Sequence, residues 1–133
     1  MIVLDASATL DGFFQPKCWT GLIKLIRSES ILVPQHFIIE CISGLRRVDR
    51  ARPLSTFELA TFRFFLEQIP TVSVPALISL ASIWDKRHNI TAYDANYVAI
   101  AERANATLFT HDEKLANAAL GFVKIMRLDT PAP

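Results

Sequence analysis

Met1-Ile2-Val3-Leu4-Asp5-Ala6-Ser7 sets a short aliphatic run against a carboxylate, the pattern of a buried strand whose end opens onto a polar turn. Ile31-Leu32-Val33, ending in Pro34, repeats it, and both runs read as buried strands feeding helices. Thr71-Val72-Ser73-Val74 before Pro75, Thr107-Leu108-Phe109, and Val123-Lys124-Ile125-Met126 complete five strand candidates. Between them, helical patterns fall over roughly 19–28, 35–50, 56–68, 76–88, 93–105 and 112–119, with Gly121 placed to stop the last. Parallel strands need crossover helices and bury both of their faces, so this alternation predicts a three-layer α/β/α domain with a mainly parallel, about five-stranded sheet. No repeat or linker interrupts the chain, so residues 1–133 are expected to form a single domain with a frayed tail over 129–133.

Composition narrows the function classes. The chain has 133 residues, 51% of them apolar, with nine Phe and two Trp, which excludes disorder. With 14 Lys+Arg against 13 Asp+Glu, the net charge of +1 excludes polybasic behaviour, so an anionic partner must be drawn by a local patch. The opening residues carry no basic n-region and reach Asp5 at once, so no signal peptide and a cytoplasmic location are expected. The charge-free stretch over 68–84 is interrupted by Pro70 and Pro75 and falls short of the ~20 residues of a membrane span. Cys18 and Cys41 form no CxxC and have no His at metal-ligand spacing, which favours two reduced, partly buried thiols.

The carboxylates carry the chemistry. In open α/β sheets the ligand crevice lies outside the carboxyl ends of the strands, and Asp5 and Asp112 follow two of the aliphatic runs. Two more acids are placed by helical angle. From Phe37, the apolar stripe of Phe37, Val48, Cys41, Leu45 and Ile38 spans about 100°, and Glu40 falls at its edge. From Asp94, the residues Val98, Ala101 and Asn105 lie within about 40°, so Asp94 shares the inward face of its helix.

Taken singly, each acid has an ordinary structural reading. Thr91-x-x-Asp94, Thr110-x-x-Glu113 and Ser55-x-x-Glu58 all match the capping box, Asp5 suits a turn, and Glu40 suits a stripe edge. Taken as a set, unpaired carboxylates gathered at strand ends and inward helix edges repel one another and imply protons or divalent cations. Oxygen-only ligands point to Mg²⁺ or Mn²⁺ rather than Zn²⁺, and such a site suits phosphodiester hydrolysis, with activated water attacking and cations neutralising the entering and leaving oxygens. His111 reads as a loop residue. Arg46, Arg47, Arg50 and Arg52 cluster near the end of the helix bearing Glu40, with Lys86, Arg87 and Lys114 elsewhere. They read equally as contacts to a polynucleotide backbone and as helix-end charges on a solvated face.

In order along the chain, Asp5-Ala6-Ser7 after its aliphatic run, Val33-Pro34 followed by Glu40 and Leu45-Arg46-Arg47, Thr91-Ala92-Tyr93-Asp94-Ala95-Asn96-Tyr97, and Thr107-Leu108-Phe109-Thr110-His111-Asp112 resemble the PIN-domain ribonucleases. The resemblance runs over essentially the whole chain and is nearest to the VapC-type toxins of bacterial toxin–antitoxin pairs. It implies that Asp5, Glu40, Asp94 and Asp112 are the acidic quartet around Mg²⁺ or Mn²⁺, with Ser7 and Thr110 as supporting hydroxyls. It further implies a homodimer, an RNA substrate, and a small antitoxin protein that blocks the acidic pocket. Asn117 stands where some relatives offer a further carboxylate. Aspartyl-phosphate phosphatases want an acid at the position of Ser7, and receiver domains want paired acids near the first strand; neither pattern is met. The alternative of another class is a catalytically silent PIN-like protein-binding module.

Overall fold

The structure, a computed structural model, describes residues 1–130; residues 131–133, the end of the tail expected to fray, lie outside the described residues. Five strands form one parallel sheet: β1 (Ile2–Leu4), β2 (Ile31–Pro34), β3 (Thr71–Val74), β4 (Thr107–Phe109) and β5 (Ile125–Met126), in the order β3-β2-β1-β4-β5. Helices α1 (Ala6–Phe14), α2 (Pro16–Ser28), α3 (Phe37–Ala51), α4 (Thr56–Gln68), α5 (Leu80–Asp85), α6 (Ala92–Ala104) and α7 (Glu113–Ala119) cover it, giving the three-layer α/β/α architecture. The chain builds outward from β1 to β3 on one side and resumes at β4 on the other, so the order of strand addition reverses between β1 and β4 while all strands stay parallel. That switch point is where an open parallel sheet leaves a crevice.

Strand alternation divides the core. Ile2 and Leu4 point to the face covered by α1 to α4, with Leu10, Leu22, Phe37, Cys41 and Phe62. Val3 points to the opposite face, where Tyr97, Val98, Ala101 and Leu115 of α6 and α7 meet it. Cys18 and Cys41 are free, buried thiols. No helix among the described residues is long and apolar enough to cross a membrane.

Four details differ from the reading of the sequence. The segment Ala6–Phe14, left without a helical pattern, forms α1, whose small residues let it press against α2: a Cβ at Gly12 would come within 2.7 Å of Leu22 Cδ2. Residues 76–88 split into a 3-10 turn, Ala76–Ser79, and the short α5. The helix stops at Asp85, and the Lys86 side chain that follows folds inward to Glu102 and Ser82. β5 begins at Ile125 rather than Val123, because the Val123 N–H is spent on the Ala119 carbonyl in the turn after α7. Asp129, assigned to the frayed tail, is held by Lys17 and Arg127.

α4 starts with the full capping box: Ser55 Oγ accepts from Glu58 N–H, and the Glu58 carboxylate accepts from Ser55 N–H. Ser55→Ala is expected to lower stability by about 1 kcal/mol. The check is a lower denaturant midpoint with an unchanged m-value.

Candidate active site

Asp5 follows β1 and opens α1, yet its side chain makes no helix-capping hydrogen bond. It is instead held across the switch point. Its backbone N–H donates to the Phe109 carbonyl of β4, and its Oδ2 accepts from Ser7 Oγ at 2.5 Å and Thr110 Oγ1 at 2.7 Å. Both hydroxyl bonds land on one oxygen, so Oδ1 is left without a side-chain donor. Asp5 is 5% exposed, and this burial raises its carboxyl above the ordinary range against the lowering by the two hydroxyls, with the Glu40 charge adding to the rise.

Thr110 and Asp112 come from the turn after β4. The capping box expected of Thr110 and Glu113 does not form: Thr110 turns inward to Asp5, and Asp112 becomes the N-cap of α7, its Oδ1 accepting from the N–H groups of Lys114 and Leu115. Asp112 therefore caps a helix with one oxygen while its carboxylate borders the crevice. Asp94 lies in the first turn of α6, where Thr91 Oγ1 accepts its N–H without the reciprocal bond of a full box. Its carboxyl is half-buried and pushed up to about 6, first by desolvation and then by Asp112, Asp5 and Glu40; Lys114 opposes the shift. Of its predicted inward companions, Val98 and Ala101 are buried, but Asn105 is exposed, ending α6 in the left-handed conformation at φ 49°.

Glu40, half-buried on α3, accepts a 2.9 Å hydrogen bond from the Tyr97 hydroxyl of α6. His36 Nε2 lies 3.3 Å from the other Glu40 oxygen, without hydrogen-bond alignment, and its ring meets Tyr93 and Tyr97 edge to face. These supports of Glu40 were not read from the sequence, although the four-residue steps from His36 to Glu40 and from Tyr93 to Tyr97 each put two polar groups on one helical face. On the same helix Ile38, expected in the core stripe, is 43% exposed, whereas Phe37 and Cys41 are buried in the core and Leu45 packs against it.

One cleft of about 190 Å³ is lined by Asp5, Ser7, Glu40, Asp94 and Asp112 together with Ser43 and Arg47. Larger recesses, such as one of about 560 Å³ at the amino end of β4, do not gather these carboxylates. Of the arginine cluster only Arg47 lines the cleft. Arg46 and Arg50 are exposed on α3 outside it, and Arg52 is engaged by Glu58 at 2.9 Å. Lys86 is buried against Glu102 and Phe122, and Arg87 stacks on Trp84, which removes both from the site. Asn117 lines a separate groove with Leu120 and Met126.

The donors suit a hard divalent cation. All are carboxylate or hydroxyl oxygens, no thiol or imidazole lines the cleft, and Asp94, raised first by desolvation, is raised further by the neighbouring Asp112, Asp5 and Glu40 carboxylates. Among the described residues no group of three or more His, Cys, Asp or Glu side chains is placed to hold a metal ion at one point; the four carboxylates border a common cleft without converging.

Comparison with known proteins agrees with this arrangement. The PIN domain family matches residues 2–120. Ribonuclease VapC3 of Mycobacterium tuberculosis is 34% identical over 119 residues, covering 88% of this chain and 86% of the relative. Ribonuclease VapC9 of the same organism is 35% identical over 121 residues, covering 88% and 90%. In structure, PAE2754 from Pyrobaculum aerophilum superposes with a TM-score of 0.67 at 21% identity, over 96% of this chain and 83% of that one. VapBC2 from Rickettsia felis, solved bound to a DNA fragment from its promoter, gives 0.66 at 14% identity, over 96% and 98%. The chain belongs to the PIN-domain family and, within it, to the VapC ribonucleases.

Proposed function

We propose that this chain is the toxin of a toxin–antitoxin pair, a single-domain endoribonuclease that hydrolyses RNA phosphodiester bonds at the Asp5, Glu40, Asp94 and Asp112 cleft with Mg²⁺ or Mn²⁺. The observation that carries the reading is that four carboxylates from four separate segments border one cleft at the switch point of the sheet. Asp5, Asp94 and Asp112 would hold the cation, with Glu40 completing the set. When bound, the cation supplies positive charge for the attacking and leaving oxygens and acidifies water.

The chain's own groups do the rest. Ser7 and Thr110 fix one Asp5 oxygen and so aim the other. The Tyr97 hydroxyl orients Glu40. Arg47, at the cleft, draws the RNA backbone, while Arg46 and Arg50 extend the charge along α3. Arg47→Ala is expected to raise KM several-fold with kcat little changed, and to flatten the dependence of binding on salt by about one phosphate contact. Titrations at two salt concentrations check this.

The antitoxin has an apolar stripe to cover on α4, where Phe57 and Phe64, one heptad apart, are 78% and 63% exposed. A homodimer would use the exposed Ile39 and Ile42 of α3 or the exposed Leu77, Ile78 and Leu80 at the start of α5 and the turn before it. Cytoplasmic location is in keeping with the free thiols of Cys18 and Cys41.

The test is cleavage of total small RNA by purified, antitoxin-free protein with Mg²⁺, with Mn²⁺ and with EDTA, beside Asp94→Asn. Metal-dependent bands absent from the variant support the reading and identify the RNA. Folded protein that cuts nothing under any metal favours the silent binding module.

A further inference from the structure

His111 stands between Thr110 and Asp112, yet its ring faces away from the cleft. The side chain is 3% exposed, with Nδ1 at 2.8 Å from Asp11 Oδ2 and Nε2 accepting the Leu128 N–H at 3.0 Å. A main-chain N–H can only donate, so Nε2 offers a lone pair and the ring proton sits on Nδ1, donated to Asp11. The hydrogen-bond network thereby assigns a neutral Nδ1–H imidazole. The backbone N–H of the same residue donates to Ser7 Oγ at 3.0 Å.

Ser7 and Asp11 lie one turn apart on α1 and share a face, so His111 grips that helix twice. Its other anchor is firm. Leu128 is 6% exposed, Asp129 beside it is held at 3.2 Å by both Lys17 and Arg127, and α2 packs so closely that a Cβ at Gly21 would lie 2.5 Å from the Leu128 carbonyl oxygen.

We propose that His111 is a positioning residue: its ring is a strut between α1 and the segment after β5 that sets Thr110 and Asp112 against Asp5. The inference rests on the reading of the acidic cleft as the ribonuclease centre. Both flanking residues matter there, since Thr110 donates to Asp5 and Asp112 borders the cleft. Small displacements of such groups are amplified in rate, and loss of an outer support typically weakens metal binding 10- to 100-fold.

The test is Mn²⁺ affinity by calorimetry together with kcat and KM for RNA, in wild type, His111→Ala, Asp11→Ala, His111→Asn and Asp94→Asn, all well below their Tm. Asp11→Ala removes one end of the strut at a partly exposed position, so it reports even if His111→Ala does not fold. Expected are at least ~10-fold weaker Mn²⁺ binding and lower kcat with KM nearly unchanged in His111→Ala and Asp11→Ala. His111→Asn, whose amide can still donate to Asp11, should recover part of both. Variants with lowered Tm but wild-type Mn²⁺ affinity and kcat would show a merely structural role and overturn the inference. If wild type itself binds no Mn²⁺ and Asp94→Asn changes nothing, the cleft assignment fails and this inference falls with it.

Discussion

Asp94→Asn should lower RNA cleavage by at least ~10²-fold while leaving the cation-free protein no less stable than wild type at neutral pH. The two halves of this result have one cause. Asp94 is partly desolvated and faces Asp112, Asp5 and Glu40, which is why its carboxyl is pushed up to about 6. A neutral amide of the same shape removes the repulsion, and the backbone N–H that Thr91 caps is untouched. A charge that disfavours the empty fold is retained for what it binds. Activity lost together with stability would instead point to damage of α6. Asp5→Asn should lose a comparable amount of activity, but it is the less clean variant. Its Oδ2 accepts from two hydroxyls, and an amide nitrogen placed there would leave Ser7 and Thr110 without their acceptor. Cleavage at the wild-type rate by Asp94→Asn would remove Asp94 from the metal-binding set.

The sequence showed the sheet more readily than the helices because the two signals differ in kind. Ile2-Val3-Leu4 is buried throughout, and Ile31-Leu32-Val33 and Thr107-Leu108-Phe109 are buried but for the half-buried Leu32 and Thr107; such mostly apolar runs are visible without knowing their partners. α1 was legible only as the helix that β1 feeds, without bounds or a stripe, because its role is to be thin. Ala6, Ala8 and Gly12 give no amphipathic stripe, and the reason for each lies in α2 and the sheet, far away in sequence. The acids were legible as strand-end and helix-edge residues, but their division of labour was not. Whether Thr110 or Asp112 caps α7 could not be read locally, because Thr110 is oriented by a charge-assisted bond to Asp5, a residue far away in sequence, and its oxygen accepts the Asp112 N–H rather than that of Glu113. His111 shows the same limit. Reading it as a loop residue is right for the backbone, but its two ring contacts join residues that no local pattern relates.

Removing divalent cations with EDTA should abolish cleavage and, in the same samples, expose a pH-dependent loss of stability that Mn²⁺ reverses. The sign follows from Asp94, whose carboxyl lies at about 6 in the fold against 3.8 for an unperturbed aspartate. The folded protein therefore holds this proton more tightly than the unfolded chain. Its contribution favours the fold below pH 4 and is lost as pH rises through about 6. Asp5, also raised by burial, acts in the same direction. Other groups titrate over the same range, so the informative quantity is the difference in Tm between wild type and Asp94→Asn. Without cation, the variant should gain on wild type as pH goes from 4 to 7. Saturating Mn²⁺ should then stabilise wild type by about 2.7 kcal/mol at a hundred times its Kd, and the variant by much less. A Tm difference that ignores pH, or equal stabilisation of both proteins by Mn²⁺, would mean that the carboxylates are not gathered for a cation. The repulsion at Asp94 and the nuclease activity would then be separate facts, whereas a shared response ties the electrostatic strain of the cation-free cleft directly to the ion proposed for the reaction.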